Sequence, residues 1–482
     1  MKTKIFKFIS IGILFVFSLL CSGVYAQDST KVVAVADTAK AAVATVAAYT
    51  PKADSGDTAW MIVATALVML MTIPGLALFY GGLVRRKNVL SVLMQCFILV
   101  AVISLEWVII GYSEAFGSSK GALAPYIGGL DWAFLKGIKI SDLSPYFISH
   151  SQETGKILAD GSKEMIGTIP HLVFILFQCM FAVITPALII GAFAERIKFS
   201  GFLLFSVLWA LIVYNPIAHW VWSADGWLFK LGALDFAGGT VVHINAGIAA
   251  LVTAIMIGKR KYYDNKPTEP HNIPFVVIGA ALLWFGWFGF NAGSGLAADG
   301  LAASAFLTTH IATAAAAFTW VVLDWLLNKK PTIVGICTGA VAGLVAITPA
   351  SGFVDVFGAM AIGIVVSIIC FFMVGYVKPK LGYDDSLDAF GVHGIGGIWG
   401  ALATGLFATK SIQAYSGAFY GNPKQFGIQV IAVLSTIIYT GIVTAILFWV
   451  TDKLVGVKAN SEQETVGLDE TQHGEIAYTE AE

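Results

Sequence analysis

Charged residues are scarce in this sequence. Asp, Glu, Lys and Arg make up 12% of the 482 residues, and 57% of the residues are hydrophobic. A soluble domain has roughly twice that share of charge. The formal net charge is −1 and no long basic cluster occurs, so no nucleic-acid partner is expected. These absences leave a membrane protein as the class to consider.

Cysteines and enzyme signatures are also few. The chain has five cysteines, and four of them (Cys96, Cys179, Cys337 and Cys370) fall inside apolar runs, so no disulfide framework is expected. No HExxH, GxSxG or P-loop motif occurs, which excludes the enzymes built on those motifs. We therefore expect neither an enzyme nor a bound cofactor.

Long apolar runs are what the sequence has in abundance. Its mean hydropathy is +0.80, and runs of roughly 20 residues, long enough to cross a bilayer as a helix, recur along the chain. They predict an all-α polytopic membrane protein with eleven transmembrane helices. The predicted spans are 59–83, 89–113, 166–193, 200–221, 238–257, 273–290, 301–327, 333–349, 354–376, 389–408 and 428–451.

The first apolar run has the features of a signal peptide rather than a span. Lysines precede its apolar core, and Val24-Tyr25-Ala26 resembles a cleavage site, so residues 1–26 are expected to be removed. A lipoprotein signal at Cys21 is less favoured, because Leu20 is bulkier than the residue that usually precedes such a cysteine. Residues 27–57 are predicted to be a flexible exported linker.

Lysine and arginine indicate the orientation. An exported N-terminus and eleven crossings place the C-terminus in the cytoplasm. In this orientation the inner loops and the tail contain 15 of the 29 Lys and Arg residues and the outer loops contain 8, as the positive-inside rule requires. We expect a multi-pass protein of the inner cell membrane, with an eleven-helix domain at 58–454 and a cytoplasmic tail at 455–482.

Two histidines are the most unusual polar residues in the predicted spans. His243 lies in the fifth span and His393 in the tenth, 150 residues apart, and each is followed by a glycine-rich helix. Asp235 and Asp388 lie near the starts of these helices. Five spans followed by five spans predict two repeats of inverted topology, with the eleventh helix outside them and a substrate path at their interface.

The roles of these polar residues have alternatives. Neutral imidazole remains in a membrane at modest cost and still offers one donor and one acceptor. His243 and His393 are either a facing pair along a dry channel, which we favour, or unrelated core histidines bonded to backbone carbonyls. A metal site on the pair would lack a third ligand, so no metal is expected. Asp235 is either a cation ligand or, as we favour, an acid that accepts from N–H groups at a helix start.

Aromatic residues cluster at the predicted outer ends of the spans. Phe116 follows the second span, Trp222 the fourth, and Trp287 and Phe290 end the sixth, with Ser294 just beyond. Taken singly, such residues usually anchor a protein at the membrane interface. If they converge, they form a cation–π site for a small cation that sheds its water, to which Ser294 adds a hydroxyl.

Longer stretches carry a resemblance to a known family. The chain resembles the ammonium transporter family (Amt/MEP, related to the Rhesus proteins) from about Trp60 to Tyr478. The matching stretches are MTIPGLALFYGGLVRRKNVL, AERIKFS, GALDFAGGTVVHINAG, GWFGFNAGS, DAFGVHGIGGIWG and GLDETQHGEIAY. The resemblance implies ammonium or ammonia as the transported molecule and a homotrimer with one pore in each subunit.

The resemblance also implies an outer site and a gate. Phe116, Trp222 and Ser294 would form the outer ammonium site, and Phe116 would stack on Phe290 to close the pore mouth. Ammonium would lose its proton at this gate and cross as ammonia, with or without separate transfer of the proton. Potassium has no proton to give, so the dry lumen would reject it.

Further roles implied by the resemblance concern the lumen. His243 and His393 would be the twin histidines of the narrow pore, with Trp287 and Tyr214 along its walls. Asp235 would order the outer site without touching the substrate. Rival functions within the family are an ammonium sensor with little transport and a passive ammonia gas channel; a membrane enzyme that uses the histidine pair is the rival from another class.

Some features depart from the family or extend beyond its pore. Glu106 lies in the second span where the family commonly has an apolar residue, and it faces another helix, a lipid headgroup or the vestibule. The outer loop 114–164 is long, and residues around 141–164 look inserted. The tail is either a disordered end or, as the resemblance implies, a regulatory segment that packs under neighbouring subunits and responds to a PII-type protein. Thr471 stands where some members are phosphorylated.

Overall fold

Eleven apolar helices make up most of the structure. The computed structural model describes residues 50–158, 160–261, 263 and 269–478. Within these residues ten helices are long and apolar enough to cross a membrane, and α8 (Ile333–Ile347) is a shorter apolar helix. The ten are α1 (Ser55–Leu83), α2 (Arg86–Phe116), α3 (His171–Phe193), α4 (Phe199–Leu231), α5 (Gly239–Ile257), α6 (Ile273–Gly293), α7 (Gly300–Asn328), α9 (Val356–Leu381), α10 (Phe390–Phe407) and α11 (Pro423–Val455).

The helices match the eleven predicted spans, which confirms the predicted fold class. Helices α1–α5 and α6–α10 are the two five-helix halves of opposite topology, and α11 follows them as the additional helix. Large apolar side chains point away from the protein on many helices, as on a surface that faces lipid; Phe97, Leu105 and Phe318 are 58%, 64% and 70% exposed. The predicted signal peptide and linker residues 27–49 lie outside the described residues.

Small residues let the helices approach one another closely. A Cβ atom on Gly343 of α8 would lie 2.7 Å from the Cβ atom of Ala316 on α7. On α10, a Cβ atom on Gly400 would lie 2.3 Å from the carbonyl oxygen of Ala346 on α8. Glycine at these positions is therefore what allows α8 to pack directly against both α7 and α10.

A β-hairpin lies between α2 and α3, in the loop where the sequence indicated an insertion. Strand β1 (Ser151–Ile157) pairs antiparallel with β2 (Lys163–Gly167). His150, just before β1, lies with its Nδ1 atom 3.0 Å from Oδ2 of Asp57 at the start of α1. This hydrogen bond raises the pKa of His150. We call the side of the protein with this hairpin the hairpin face.

The opposite side is the basic face, where the loops α1–α2, α3–α4, α5–α6 and α9–α10 lie. A buried group of charges, the Arg260 cluster, connects these loops. Arg260 lies 2.7 Å from Glu195 and 2.9 Å from Asp384, and Arg85 lies 2.9 Å from Glu195. Burial alone raises the pKa of the Glu195 carboxyl, but Arg260 and Arg85 outweigh it, and the pKa lies below its ordinary value.

The C-terminal tail folds back onto the basic face. It contains helix α12 (Ser461–Val466) and a π-helical turn, Asp469–His473. Buried Asn88 accepts a hydrogen bond from the backbone N–H of Leu468 at 2.8 Å and donates to Glu195 at 3.0 Å. The tail is therefore bonded to the same acid that holds the Arg260 cluster together. A disordered end, one of the two alternatives for this segment, does not describe residues up to 478.

We predict that Glu195→Gln destabilises the protein, because it removes the carboxylate that pairs with Arg85 and one of the carboxylates that pair with Arg260. Removing one partner of a buried ion pair costs about 3–5 kcal/mol. The measurement is the thermal unfolding midpoint of the purified protein in detergent. Glu164→Gln is the control, because Glu164 pairs with Lys156 on the exposed hairpin and such pairs add little.

The same cluster predicts a pH dependence with a defined sign. The pKa of Glu195 is lowered by folding, so its stabilisation is present above the ordinary value of about 4.3 and is lost as the pH falls towards the folded value. When the pH is lowered below about 4, the thermal unfolding midpoint of the unmodified protein should decrease, and that of Glu195→Gln should decrease less. Equal midpoints for the two proteins at neutral pH would contradict this role.

Candidate functional site

Asp235 caps the helix that carries His243. Its carboxylate accepts hydrogen bonds from the backbone N–H groups of Gly238, Gly239 and Thr240 at 2.8, 2.6 and 2.7 Å, and from the Thr240 hydroxyl. Helix starts leave such N–H groups without partners inside the helix, and a capping carboxylate satisfies them. These contacts are those of a structural acid rather than of a cation ligand.

The second half repeats this cap with Asp385, not with Asp388. Asp385 stands eight residues before His393, as Asp235 stands eight residues before His243. It accepts from the backbone N–H groups four and five residues further on, at 3.1 and 2.8 Å. Asp388 pairs with a lysine of α9 instead. The equal spacing was visible in the sequence, but proximity to the helix start pointed to the wrong acid.

The two histidines meet at the centre of the protein. His243 and His393 lie in π-helical turns, Gly239–Ile244 and Phe390–Gly394, a geometry that is frequent at functional sites. Their ring centroids are 5.4 Å apart and their planes differ by 16°. They are 1% and 4% exposed. The structure thus brings together the pair that the repeat predicted.

Glycine is what allows this meeting. A Cβ atom on Gly247 of α5 would lie 2.1 Å from the backbone nitrogen of Gly394 on α10 and 2.2 Å from its Cα atom. A Cβ atom on Gly397 would lie 3.0 Å from the Cβ atom of His243. Helices α5 and α10 therefore cross with their backbones in contact, one turn after His243 and directly after His393.

A narrow apolar cavity runs beside the imidazoles. It leaves about 10 Å³ for the centre of a water-sized molecule, which is close to the least that one water needs. His243, His393, Trp287 and Phe290 line it, and the other lining side chains are apolar. These are Met71, Leu76, Phe79, Ile184, Leu188, Val242, Leu283 and Val341.

Within this cavity the histidines are the polar groups. Both ring nitrogens of His243 and Nδ1 of His393 are buried and have no hydrogen-bond partner among the described residues. Buried polar atoms are nearly always paired, so these three nitrogens are available to a small polar molecule in the cavity. They are not bonded to backbone carbonyls, as the alternative of two core histidines required.

The walls of the cavity match the predictions in part. Trp287 lines it, stacks on His243 with the centroids 5.4 Å apart, and donates from Nε1 to Thr348 at 2.8 Å. Tyr214 is not among the lining residues. Its ring lies 6.4 Å from that of Trp107 on α2.

The predicted stacking of Phe116 on Phe290 is wrong. The ring that lies against Phe290 is that of Phe181 on α3, with centroids 4.2 Å apart and planes 33° apart. Phe116 packs instead among aromatic side chains at the hairpin face, including Phe174 at 5.2 Å and Trp107 at 6.2 Å. The position of Phe181 inside a long apolar span hid it, because nothing in that run distinguished a pore-facing ring from a core ring.

Phe181 also contacts a second residue that was predicted for the outer site. Its ring meets Trp222 edge-on at 5.7 Å, and Trp222 donates from Nε1 to the carbonyl oxygen of Asp235 at 3.0 Å. Ser294 donates to the carbonyl oxygen of Phe290 at 2.8 Å. Of the four residues predicted for the outer site and gate, Phe290 lines the cavity, Ser294 bonds to Phe290, and Trp222 is connected to Phe290 through Phe181, which stands in the place of Phe116.

The part of the chain that the structure describes contains no candidate metal-binding centre. No group of three or more His, Cys, Asp and Glu side chains in residues 50–158, 160–261, 263 and 269–478 is placed to hold a metal ion.

Comparison with known proteins assigns the family. The family model described as Ammonium Transporter Family matches residues 59–478. The ammonium transporter of Bacillus subtilis (strain 168) is 49% identical over 428 residues, which cover 88% of this chain and 99% of that protein. The crystal structure of Saccharomyces cerevisiae Mep2 aligns with a TM-score of 0.75 at 34% identity, over 85% of this chain and 89% of that one. A structure described as a sensor Amt protein aligns with a TM-score of 0.76 at 30% identity, over 87% and 98% of the two chains. This chain belongs to the ammonium transporter family.

Proposed function

We propose that the protein transports ammonium by conducting ammonia through the narrow cavity that His243 and His393 line. The observation that carries this proposal is the stacked pair His243 and His393, whose unpartnered nitrogens face a narrow apolar cavity. Ammonia is small, neutral and able both to donate and to accept hydrogen bonds. Neutral imidazoles offer the same two capacities, so the pair can pass ammonia along a path that is otherwise apolar.

The charge of a molecule determines whether it can pass through this cavity. A charged group at the centre of a membrane costs at least a few kcal/mol, and the apolar lining supplies no compensating charge. Ammonium avoids this cost by giving its proton to water at the mouth of the cavity; the proton then passes separately along the imidazoles of His243 and His393 and rejoins ammonia on the far side. Potassium has no proton to leave, so the same lining excludes it.

The aromatic residues at the mouth supply the recruitment site. Trp222, Phe181 and Ser294 bind ammonium through two ring faces and one hydroxyl, and Phe181 and Phe290 form the gate below them. Asp235 orders this site without touching the substrate, since its carboxylate is occupied by the helix start and its carbonyl holds the Trp222 indole.

The wider setting of the transporter completes the proposal. Residues 1–26 are removed as a signal peptide and residues 27–57 are exported, so the hairpin face lies outside and the basic face in the cytoplasm of an inner-membrane protein. Three subunits assemble, each with its own pore. The tail, 455–482, is regulatory and responds to a PII-type protein at the basic face, with Thr471 as its candidate phosphorylation site.

Two alternatives remain within the family. The structural similarity to a sensor Amt protein supports an ammonium sensor as one alternative. A passive gas channel shares the same histidine pair and lumen. Uptake without current would favour the gas channel, and ammonium binding without uptake would favour the sensor. Stoichiometric zinc or iron in the purified protein would instead revive a membrane enzyme.

We predict that ammonium evokes a current in membranes containing the reconstituted protein and that potassium at the same concentration does not. The reason is that deprotonation at the mouth lets nitrogen and proton cross separately, whereas a potassium ion keeps its charge. The measurement is current on a solid-supported membrane after rapid solution exchange. His393→Leu is the matched variant and should abolish the current. Potassium and ammonium currents of equal size would overturn the mechanism.

We predict that Phe181→Leu weakens the apparent affinity for ammonium and that Phe116→Leu does not. Loss of a partly desolvated cation–π contact costs about 0.5–2 kcal/mol, which corresponds to roughly 2- to 30-fold. Concentration dependence of the ammonium current measures this effect. Both substitutions remove one buried phenyl ring near the hairpin face, so general loss of packing affects both. A larger effect of Phe116→Leu would indicate that Phe116, as expected from the sequence, and not Phe181 forms the outer site.

A further inference from the structure

Glu106 is a buried acid of α2 that the lumen does not use. It is 7% exposed, and its Oε1 atom accepts a hydrogen bond from Nδ2 of Asn215 on α4 at 2.9 Å. The same Nδ2 atom donates to Oε2 of Glu114 at 2.9 Å. Of the three surroundings left open by the sequence, Glu106 thus faces another helix. One amide group bridges two carboxylates, whose bonded oxygens are at most twice 2.9 Å apart.

Two π-helical turns create this arrangement. Glu106 is followed by the π-helical turn Trp107–Gly111, and Asn215 directly follows the turn Ala210–Tyr214. Eight residues of regular α-helix would rotate a side chain about 80° past two full turns. The extra residue of the π-turn removes most of that rotation, which places Glu106 and Glu114 on the same side of α2.

The site is closely packed. A Cβ atom on Gly111 would lie 2.7 and 2.8 Å from the two carboxylate oxygens of Glu106, so a side chain at this position would require the carboxylate to move. This close contact indicates that the carboxyl group of Glu106 is packed inside the protein. It is not an acid that turns towards lipid or water.

Two acceptor atoms in this group are unsatisfied. Oε2 of Glu106 and Oδ1 of Asn215 are buried and have no hydrogen-bond partner among the described residues. None of the ion pairs between described residues involves Glu106 or Glu114. Both N–H donors of the Asn215 amide are already used, so these two acceptor atoms have no donor within the group of Glu106, Glu114 and Asn215. What the group lacks is one donor and one positive charge, and a single proton supplies both.

The other titratable groups near Glu106 are neutral ones. Cys179 on α3 and Tyr214 on α4 are the closest, apart from Glu114 on α2 itself. The thiol of Cys179 donates to Ser104 at 3.6 Å, and the phenol oxygen of Tyr214 is buried without a partner. Neither group carries a positive charge that would keep both carboxylates ionised.

We propose that Glu106 and Glu114 form a proton-binding site that holds one proton between them, separate from the histidine cavity. Two close carboxylates without a cation cannot both stay ionised at low cost, as in other carboxylate dyads. Glu106 is the member that carries the proton, since its Oε2 atom is the unsatisfied one. Glu114 is half-buried, eight residues nearer the hairpin face, and exchanges the proton with solution there. A metal cation would need several more oxygen ligands and more room than this packing gives.

We predict that infrared spectra of the reconstituted protein show a protonated carboxyl band at neutral pH that shifts on exchange into heavy water. Glu106→Gln should remove this band. Asp324→Asn is the matched control and should leave it, because that buried acid of α7 is satisfied by Thr332 and Asn328 at 2.7 and 3.0 Å. Glu114→Gln removes the neighbouring like charge, so the band of Glu106 should disappear at a lower pH than in the unmodified protein.

Each outcome of this experiment decides the proposal. An unmodified protein without the band at neutral pH, or a band of equal size in Glu106→Gln, would overturn it. A band that appears only after sodium and potassium are removed would identify a metal-cation site instead. If Glu106→Gln does not fold, the comparison of Glu114→Gln with the unmodified protein still decides. None of these readings requires ammonium, so they are independent of the transport function.

Discussion

The contact between Gly247 and Gly394 is the constraint on which the pore depends. Helices α5 and α10 touch backbone to backbone there, at distances that no Cβ atom tolerates. This contact fixes the separation of the two helices, and the separation fixes the 5.4 Å between the imidazoles of His243 and His393. The narrowness of the cavity follows from the same approach. A methyl group at Gly247 would spread the helices, widen the lumen and admit water, and the discrimination between charged and neutral molecules that we propose would be lost with it.

Polar groups inside the protein fall into two kinds, and the difference explains their positions. Asp235 and Asp385 are fully used by the N–H groups of the helices they cap, so they stabilise the fold and leave nothing for a ligand. His243, His393 and Glu106 instead keep unpaired nitrogen or oxygen atoms in buried positions. Such atoms destabilise a protein by about 1–3 kcal/mol each, and they persist where a proton or small molecule completes them.

Much of the fold could be predicted from the sequence, because hydrophobic runs and loop charges report directly on membrane crossing. The histidine pair could be predicted too, since its spacing is that of a repeat. The position of Phe181 could not, because an apolar run does not reveal which side of a helix faces a pore. Tyr214 and Phe116 were misplaced for the same reason: both lie near the expected site along the chain, but their side chains point to the aromatic packing around Trp107. Motif matching locates a helix and leaves its rotation undetermined.

Asn88 attaches the tail through hydrogen bonds that are either made or broken. Its amide group is fully buried and holds the Leu468 backbone on one side and Glu195 on the other. If the tail were lifted, the amide oxygen would lose the N–H donor of Leu468 while its nitrogen stayed bonded to Glu195. A small displacement of the tail therefore breaks this hydrogen bond without replacing it. A partner can hold the tail away only if it replaces the lost bond or lets water reach the amide. The hydrogen bonds of one buried amide thus make the docking of the tail at the basic face an all-or-none contact.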